Sequence, residues 1–274
     1  MVPPILTIAG SDCSAGAGVQ ADLKTITALG GYALTALTSV VAEVPAKVSR
    51  IQLLDAEMVM EQIRVLAAAF PIAAAKTGML GGVAQIEAIA AIWPLVARGR
   101  VPLVVDPVMV ATSGKRLLDE NAGYALTERL FPLARLITPN MDEAAALLGR
   151  TMAKTRDEMQ AAAEKLQARF GCACLLKGGH FGGETAPDIL VDGTHIEWFE
   201  GQRIPGVHTH GTGCTLSAAI ATGLGMRLPM REAVAQAKEF VAQAIARHFR
   251  WGTVDALRHE RPGNSAWNEG SAPL

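Results

Sequence analysis

The sequence predicts an α/β fold, with a mainly parallel central sheet and helices on both of its faces. Short apolar runs alternate along the chain with longer segments whose apolar residues recur at helical spacing. Most of the apolar runs end in glycine or polar residues, as expected where a strand turns into a helix. Strands that alternate with helices in this way are typical of parallel sheets, because consecutive parallel strands need a long crossover connection.

The individual elements follow from this alternation, taken from the N-terminus. The apolar runs predict strands at residues 4–9, 32–41, 73–77, 103–105, 136–138 and 172–176, and residues 48–53 alternate like a short exposed strand. Helical spacing predicts helices at about residues 19–29, 55–70, 82–98, 140–148, 155–170, 212–220 and 230–247, with Asp55 capping the second. Asp192 and Gly193 predict a hairpin turn inside residues 189–199.

A single domain is predicted, because neither a linker nor an internal repeat interrupts the chain. This domain spans residues 1–251. The residues after Trp251 are rich in proline, glycine, serine, asparagine and charged side chains. Their composition predicts a loosely packed C-terminal tail over residues 252–274.

The composition excludes several classes of function. The chain has 274 residues, of which 50% are hydrophobic and 19% charged, and its formal net charge is -1. It has no basic face or run of like charges, so nucleic acid is not expected as a partner. The apolar run at the N-terminus follows no basic residues and is far shorter than the roughly 20 residues of a membrane span. We therefore expect a cytoplasmic protein that does not contact membranes.

The most informative segment is residues 207–220, a polar turn with glycines that runs into a helix of small residues. Gly211 and Gly213 let the backbone turn sharply, and a helix starting near Thr212 would direct its first amides and its dipole at an anion. Cys214 lies in the first helical turn, where the same field favours a thiolate and suits a base or nucleophile. The alternative is a glycine-rich helix cap with a buried cysteine.

Other polar residues follow the predicted strands and gather at the same edge of the sheet, where ligands bind in such folds. Asp106 and Lys177 each end an apolar run, and Asn140 and Glu143 follow another. Each also has a structural interpretation. Asn140 and Glu143 have the spacing of a helix capping box, Asp106 precedes a proline as turn residues do, and a lysine at a strand end is usually solvated. The glycine-rich residues 10–18 match neither a P-loop nor a G-x-G-x-x-G motif.

Several motifs together resemble one family, the hydroxymethylpyrimidine/phosphomethylpyrimidine kinases of thiamine biosynthesis, within the ribokinase-like superfamily. These motifs are residues 9–12, 16–24, 76–80, 106–109, 138–140, 176–180 and 209–214. The resemblance implies a ribokinase-like three-layer sandwich and a homodimer. It also implies ATP- and Mg²⁺-dependent phosphorylation of the hydroxymethyl group of a small pyrimidine, and then of the resulting monophosphate.

The resemblance also implies roles for individual residues. The amides of Gly211, Thr212 and Gly213 would form the anion hole, and Cys214 would take or position the proton of the substrate hydroxyl. Asp106 and Glu143 would orient Mg²⁺ through water molecules. The nucleotide contacts implied are Asn140, Lys177, Thr209 and Thr212. The substrate contacts implied are Gly10, Asp12, Ala17, Glu43, Met79 and Val108.

The chain departs from the family pattern at Glu43, where the family has glutamine. A glutamine amide both donates and accepts hydrogen bonds, whereas an ionised carboxylate only accepts them. Glu43 therefore suits the pyrimidine only if the carboxyl group or the ring nitrogen carries a proton. Three alternatives remain at this stage: a pyridoxal or pyridoxamine kinase, a non-catalytic binder of vitamin precursors, and a redox or acyl-transfer enzyme that pairs Cys214 with His208 or His210.

Overall fold

The computed structural model of the protein describes residues 1–45, 47–109, 120–179, 184–207 and 210–260. Its strands are β1 Pro4–Asp12, β2 Tyr32–Val44, β3 Lys47–Leu53, β4 Ala74–Thr77, β5 Leu103–Val105, β6 Leu136–Ile137, β7 Ala173–Lys177, β8 Asp188–Asp192, β9 His195–Phe199, β10 Phe249–Trp251 and β11 Val254–Ala256. Its α-helices are α1 Gly18–Ala28, α2 Ala56–Ala69, α3 Val83–Ala97, α4 Glu120–Ala125, α5 Met141–Leu148, α6 Arg156–Phe170, α7 Thr212–Gly225 and α8 Met230–Ala246. Among these helices, none combines the length and the apolar character that a membrane crossing requires.

The mainly parallel sheet predicted from the sequence is confirmed. Within the described residues, nine strands form one sheet in the order β3-β2-β1-β4-β5-β6-β7-β8-β9. The strands from β2 to β7 in this order are parallel to one another. β3 lies antiparallel at one edge, and β8 and β9 form the predicted antiparallel hairpin at the other. Gly193 has a φ of 63° in the hairpin turn, as a residue of a tight hairpin requires.

The helices cover both faces of the sheet, so the fold has three layers. Side chains alternate between the faces along each strand, as β1 illustrates. Leu6 and Ile8 belong to a core shared with α2, α3 and α6. Ile5 belongs to a second core, which is shared with α1, α7 and α8. The helices that carry the glycine-rich motifs at both ends of the sequence therefore lie side by side on one face.

The direction of the strand order changes at β1, with β2 on one side and β4 on the other. The connections after β1 and β4 consequently diverge and leave a crevice at the carboxyl ends of the strands. Residues 10–18, the glycine loop, fold back over this crevice. Gly18 has a φ of 57°, and a Cβ atom there would lie 2.4 Å from the carbonyl oxygen of Gly10. Only glycine permits this approach, which fixes the start of α1 against the end of β1.

Two local predictions are corrected in detail. Asp55 is the N-cap residue of α2, as predicted, but its side chain makes no capping hydrogen bond. The second predicted strand was expected to end at residue 41, whereas β2 continues to Val44 because it pairs with β3 as far as Lys47. Glu43 therefore lies within a strand and not in the connection after it.

The tail predicted over residues 252–274 is wrong for its first part. β10 and β11 form a small antiparallel hairpin through residue 256. Leu257 and His259 beyond it are only 4% and 6% exposed. Packing of these few side chains outweighs a composition that is typical of loose segments. Residues 261–274 lie outside the described part of the chain, and the single domain stays a prediction.

Candidate active site

A cavity of about 870 Å³ opens at the carboxyl ends of the parallel strands. Its size lies within the range of roughly 300–1,000 Å³ that is typical of small-molecule sites. The predicted site residues that border it are Gly10, Asp12, Ala17, Glu43, Met79, Asp106, Val108, Asn140, Glu143, Lys177, Gly211, Thr212, Gly213 and Cys214. Thr209, which was also predicted to contact the nucleotide, lies outside the described residues. The structure thus brings together residues from opposite ends of the domain, from Gly10 to Cys214.

The helix start predicted at Thr212 is confirmed, because α7 begins there and is preceded by Gly211 with a φ of 84°. A Cβ atom on Gly211 would lie 1.8 Å from the carbonyl oxygen of Gly16, so the N-terminus of α7 sits directly against the glycine loop. The first amides of a helix have no acceptor inside the helix, and together with the helix dipole they attract anions. The polar end of α7 therefore faces the cavity with the properties of an anion site.

Cys214 is the third residue of α7, but its environment does not favour a resting thiolate. Burial raises the pKa of the thiol to about 11, and the carboxylates of Asp22 and Asp106 add to this effect. The ammonium group of Lys76 and the amide of Gly18 lower the pKa without offsetting the burial. The helix field favours a thiolate, as predicted from the sequence, but the loss of solvation opposes it and is the larger effect on the pKa. The role of Cys214 as a base stays a prediction.

Asp106 and Lys177 form an ion pair at the bottom of the cavity. The Nζ atom of Lys177 lies 2.9 Å from Oδ1 of Asp106, which also accepts a hydrogen bond from the hydroxyl of Thr138 at 3.0 Å. Burial alone would lower the pKa of Lys177, but the charges of Asp106 and Glu143 raise it above its ordinary value. Lys177 is therefore a charged group of the site and not a solvated lysine at a strand end.

The capping box suggested by the sequence is present at the start of α5. Oδ1 of Asn140 accepts from the amide of Glu143 at 2.8 Å, and Oε2 of Glu143 accepts from the amide of Asn140 at 2.8 Å. Burial raises the pKa of Glu143 to about 7, with a further contribution from Asp106 and opposition from Lys177. Glu143 thus has a structural role at the start of α5, and it lies close enough to Asp106 and Lys177 for their charges to affect its pKa.

Asp12 organises the glycine loop on the opposite side of the cavity. Its carboxylate accepts hydrogen bonds from the amides of Ser14 at 2.7 Å and Ala17 at 2.8 Å, and it lies 3.1 Å from Nε2 of His210. Burial raises the pKa of Asp12, but the contacts with His210 and Ser14 outweigh it and bring the pKa to about 2. The carboxylate is therefore always ionised, and it links the glycine loop to the approach to α7.

Glu43 borders the cavity from a bulged position in β2. The main chain of Glu43 and the thiol of Cys13 exchange two hydrogen bonds, from Sγ to the carbonyl oxygen at 3.2 Å and from the amide to Sγ at 3.3 Å. Burial raises the pKa of the Glu43 carboxyl group, and the charge of Asp12 raises it further. The charge of His210 acts in the opposite direction, and the net effect makes protonation of Glu43, which creates a hydrogen-bond donor, easier than for a solvated glutamate.

Comparison with known proteins identifies the family. The family model described as phosphomethylpyrimidine kinase matches residues 12–258. The chain belongs to this family. It is therefore an enzyme of the phosphotransferase class, which sets aside the non-catalytic and the redox or acyl-transfer alternatives.

Three relatives of this kinase illustrate the similarity. The chain is 44% identical to the hydroxymethylpyrimidine/phosphomethylpyrimidine kinase of Rhizobium meliloti, over 88% of this chain and 90% of that one. It is 44% identical to the thiamine biosynthesis bifunctional protein ThiED of Geobacter sulfurreducens, but spans only 49% of its length. Among solved structures, an ADP complex of Bacillus subtilis pyridoxal kinase superposes with a TM-score of 0.85 at 37% identity, covering 94% of this chain and 98% of that one.

Sequence reasoning missed a buried ion pair of this kinase. Nζ of Lys76, on β4, lies 3.0 and 3.1 Å from the two carboxylate oxygens of Asp22, on α1. Both side chains are fully buried. The hydroxyl of Thr7 donates to the same carboxylate at 2.5 Å. The pair lies close enough to Cys214 to influence its pKa.

A signal for this ion pair was present in the sequence. Lys76 directly continues the apolar run of residues 73–75, where a solvated lysine is not expected. Asp22 lies between Val19 and Ile26 at helical spacing, so it shares the buried face of α1 with them. A lysine and an aspartate that each interrupt an apolar face are candidates to pair with each other.

Asp106 and Glu143 fit the requirements of Mg²⁺. Among the described residues there is no cluster of three or more histidine, cysteine or carboxylate side chains suited to a metal ion. Mg²⁺ in phosphate-transferring enzymes does not need such a cluster, since it is held by one or two carboxylates, by phosphate oxygens and by water. Both carboxylates are nearly buried, at 3% and 6% exposure, and border the same cavity beside Lys177.

Proposed function

We propose that the protein transfers the terminal phosphoryl group of ATP to 4-amino-5-hydroxymethyl-2-methylpyrimidine, and then phosphorylates the resulting monophosphate on the way to thiamine. One observation carries the proposal. The N-terminus of α7, Cys214 and the ion pair of Asp106 and Lys177 border the same cavity. The glycine loop and Glu43 border it as well. The names of the kinase and of the bifunctional relative support the choice of substrate.

The residues at the bottom of the cavity suit the binding of a nucleotide triphosphate. The ammonium group of Lys177 keeps its charge when it is buried, so it offsets phosphate charge without depending on pH. The first amides of α7 stabilise negative charge that develops on the transferring group. When bound at Asp106 and Glu143, Mg²⁺ would neutralise further phosphate charge and orient the phosphate oxygens. The ADP complex of the similar pyridoxal kinase supports the proposal that this fold binds a nucleotide.

Cys214 borders the cavity in the first turn of α7 and carries an exchangeable proton. Phosphoryl transfer passes through a loose transition state, in which the attacking hydroxyl loses its proton late. Because the thiol is mainly protonated near neutral pH, Cys214 accepts that proton only in the fraction of molecules that carry a thiolate. The catalytic cysteine therefore makes the reaction faster as pH rises.

Direct assay of the two candidate substrates tests the function. We expect ATP-dependent phosphorylation of the hydroxymethylpyrimidine and of its monophosphate. The mass of each product and a coupled assay of ADP release measure the two reactions. The second candidate, pyridoxal, is favoured by the similarity to the pyridoxal kinase structure. Phosphorylation of pyridoxal together with no turnover of the pyrimidine would contradict the proposal.

Glu43→Gln should improve binding of the hydroxymethylpyrimidine. The amide supplies a permanent donor beside an acceptor, whereas Glu43 supplies a donor only when it is protonated. One regained hydrogen bond is worth roughly 1 kcal/mol, so KM should fall by about 3- to 10-fold at neutral pH. In the native enzyme KM should rise with pH, because deprotonation removes the donor, and in Glu43→Gln this dependence should disappear.

The control for this experiment is the same pair of measurements with pyridoxal. Should Glu43→Gln raise KM for the pyrimidine and lower activity on pyridoxal as well, Glu43 would maintain the shape of the cavity and not select the substrate.

The homodimer and the cytoplasmic location remain predictions. Sedimentation velocity measures the oligomeric state.

A further inference from the structure

The segment after α8 packs against the N-terminus of α7, although its composition is that of a tail. We call residues 249–260, which comprise β10, β11 and the residues after them, the C-terminal brace. The guanidinium group of Arg250 contacts Asp255 at 2.6 Å and donates to the carbonyl oxygen of Gly206 at 2.5 Å. Arg247, at the end of α8, donates to the carbonyl oxygen of Glu260 at 2.7 Å. The brace is thus hydrogen-bonded both to the end of α8 and to the segment that precedes α7.

His259 connects the brace to the anion site through a short chain of hydrogen bonds. Nε2 of His259 lies 3.0 Å from Oγ1 of Thr215, the residue after Cys214. Oγ1 of Thr215 donates to the carbonyl oxygen of Gly211 at 2.9 Å. Because the hydroxyl proton is used in that bond, we assign the proton of the imidazole to Nε2, which donates to Thr215.

The charge state of His259 suits a fixed donor. Burial lowers its pKa to about 4, and the nearby ammonium group of Lys24 contributes to the same direction. The imidazole is therefore neutral at physiological pH and keeps a single proton. With its one proton on Nε2, the imidazole donates to Thr215, while Nδ1 has no hydrogen-bond partner among the described residues.

The chain ends on a peptide group that determines the geometry of the anion hole. The peptide between Gly211 and Thr212 is planar and trans, so its C=O and N–H bonds point in opposite directions. Whatever holds the carbonyl oxygen of Gly211 therefore also directs the amide of Thr212. Two hydrogen bonds from Thr215 hold the carbonyl oxygen of Gly211, one from the backbone amide at 2.9 Å and one from the hydroxyl at 2.9 Å.

We propose that His259 is a positioning residue of this kinase: by orienting Thr215 Oγ1 it supports the second of the two hydrogen bonds that restrain the peptide plane between Gly211 and Thr212, and so the direction of the Thr212 amide. The proposal rests on the proposed function in one respect: the anion bound at the N-terminus of α7 is taken to be the phosphoryl group transferred from ATP. It extends the site by a residue that does not touch the ligand. It also gives the C-terminal brace a role in catalysis.

Three variants test the chain of hydrogen bonds. We expect His259→Leu to lower kcat by about 10- to 100-fold with little change in KM, since misdirecting an amide costs less than the roughly 10²- to 10³-fold loss on removing one. His259→Gln keeps an N–H donor at a similar distance and should restore kcat to within about 3-fold. Thr215→Val keeps the shape of the side chain without the hydroxyl and should match His259→Leu.

A double variant separates positioning from general stability. If His259 acts through Thr215, kcat of His259→Leu/Thr215→Val is no lower than that of either single variant. Arg258→Ala is the matched control in the same segment, because its side chain lies over Phe249 and pairs with Glu260 on the surface. It should keep kcat unchanged. Multiplicative losses in the double variant, or an unchanged kcat in His259→Leu, would overturn the proposal.

A measurement without substrate keeps this test separate from the proposed function. In the absence of substrate, the amide resonances of Thr212 and Gly213 should shift in His259→Leu and remain unchanged in Arg258→Ala. Unshifted resonances would overturn positioning even in an active kinase, whereas shifted resonances in a protein inactive on both substrates would contradict only the proposed function. If His259→Leu does not fold, comparing His259→Gln with the shorter His259→Asn decides the matter, and equal kcat values for the two would overturn the proposal.

Discussion

Lys76→Met should lower the free energy of unfolding by about 3–5 kcal/mol, the usual cost of breaking a fully buried ion pair by removing one partner. The variant leaves the carboxylate of Asp22 in the interior, where the hydroxyl of Thr7 is its remaining side-chain donor among the described residues. Burial already raises the pKa of Asp22, and without Lys76 nothing comparable opposes that rise. A group whose pKa is higher in the folded state binds a proton on folding, so the variant should regain stability as pH falls.

Urea denaturation at pH 7 and pH 5 measures this effect. Lys76→Met/Asp22→Leu is the control, because removing both charges avoids an uncompensated buried carboxylate and should recover most of the lost stability. The exposed pair of Glu61 and Arg64 offers a second comparison, since Arg64→Ala should leave the midpoint of denaturation unchanged within error. A double variant as unstable as Lys76→Met would show that packing, and not charge, accounts for the loss.

The fold could be predicted because its signals are local. Each of β1, β4, β5 and β7 is an apolar run followed by glycine or polar residues, and this pattern depends on neighbours in sequence. Parallel strands then bring their carboxyl ends to one edge whatever the details of packing. For this reason residues as distant as Asp106 and Lys177 could be assigned to one site before any contact between them was known.

What could not be predicted depends on contacts between distant segments. Lys76 and Asp22 pair across 54 positions, and the sequence of either strand or helix alone does not identify the partner. His259 was assigned to a loose tail because composition averages over a segment, whereas its burial depends on where the end of the chain meets α7. Both cases require the tertiary arrangement that local patterns do not contain.

The pKa of the Cys214 thiol could not be predicted from the sequence either, because opposing effects act on the same sulfur atom. The start of α7 at Thr212 was predicted correctly, and the helix dipole does favour a thiolate at Cys214. The extent of burial decides the outcome, and burial follows from how closely the glycine loop covers α7. A sequence motif therefore identifies a reactive group more reliably than its protonation state.

Cys214→Ala should lower kcat by about 10²- to 10⁴-fold, the usual contribution of a positioned general acid or base. In the native enzyme the logarithm of kcat/KM should rise with pH from 7 to 9, because burial places the pKa of the thiol at about 11 and the thiolate fraction grows throughout this range. In Cys214→Ala this rise should disappear, while the affinity for ADP stays close to that of the native enzyme because the amides of α7 are unchanged.

Cys172→Ala is the matched control for this prediction. Cys172 is buried, at 7% exposure, whereas Cys214 is partly exposed. Cys172 belongs to the core on the other face of the sheet and is not among the residues that border the cavity. Its replacement should therefore leave kcat and its pH dependence unchanged. Full activity in Cys214→Ala would contradict a role as base and leave the anion site at the N-terminus of α7 to account for catalysis. Loss of activity with an unchanged pH profile would instead indicate that Cys214 orients the substrate hydroxyl without accepting its proton.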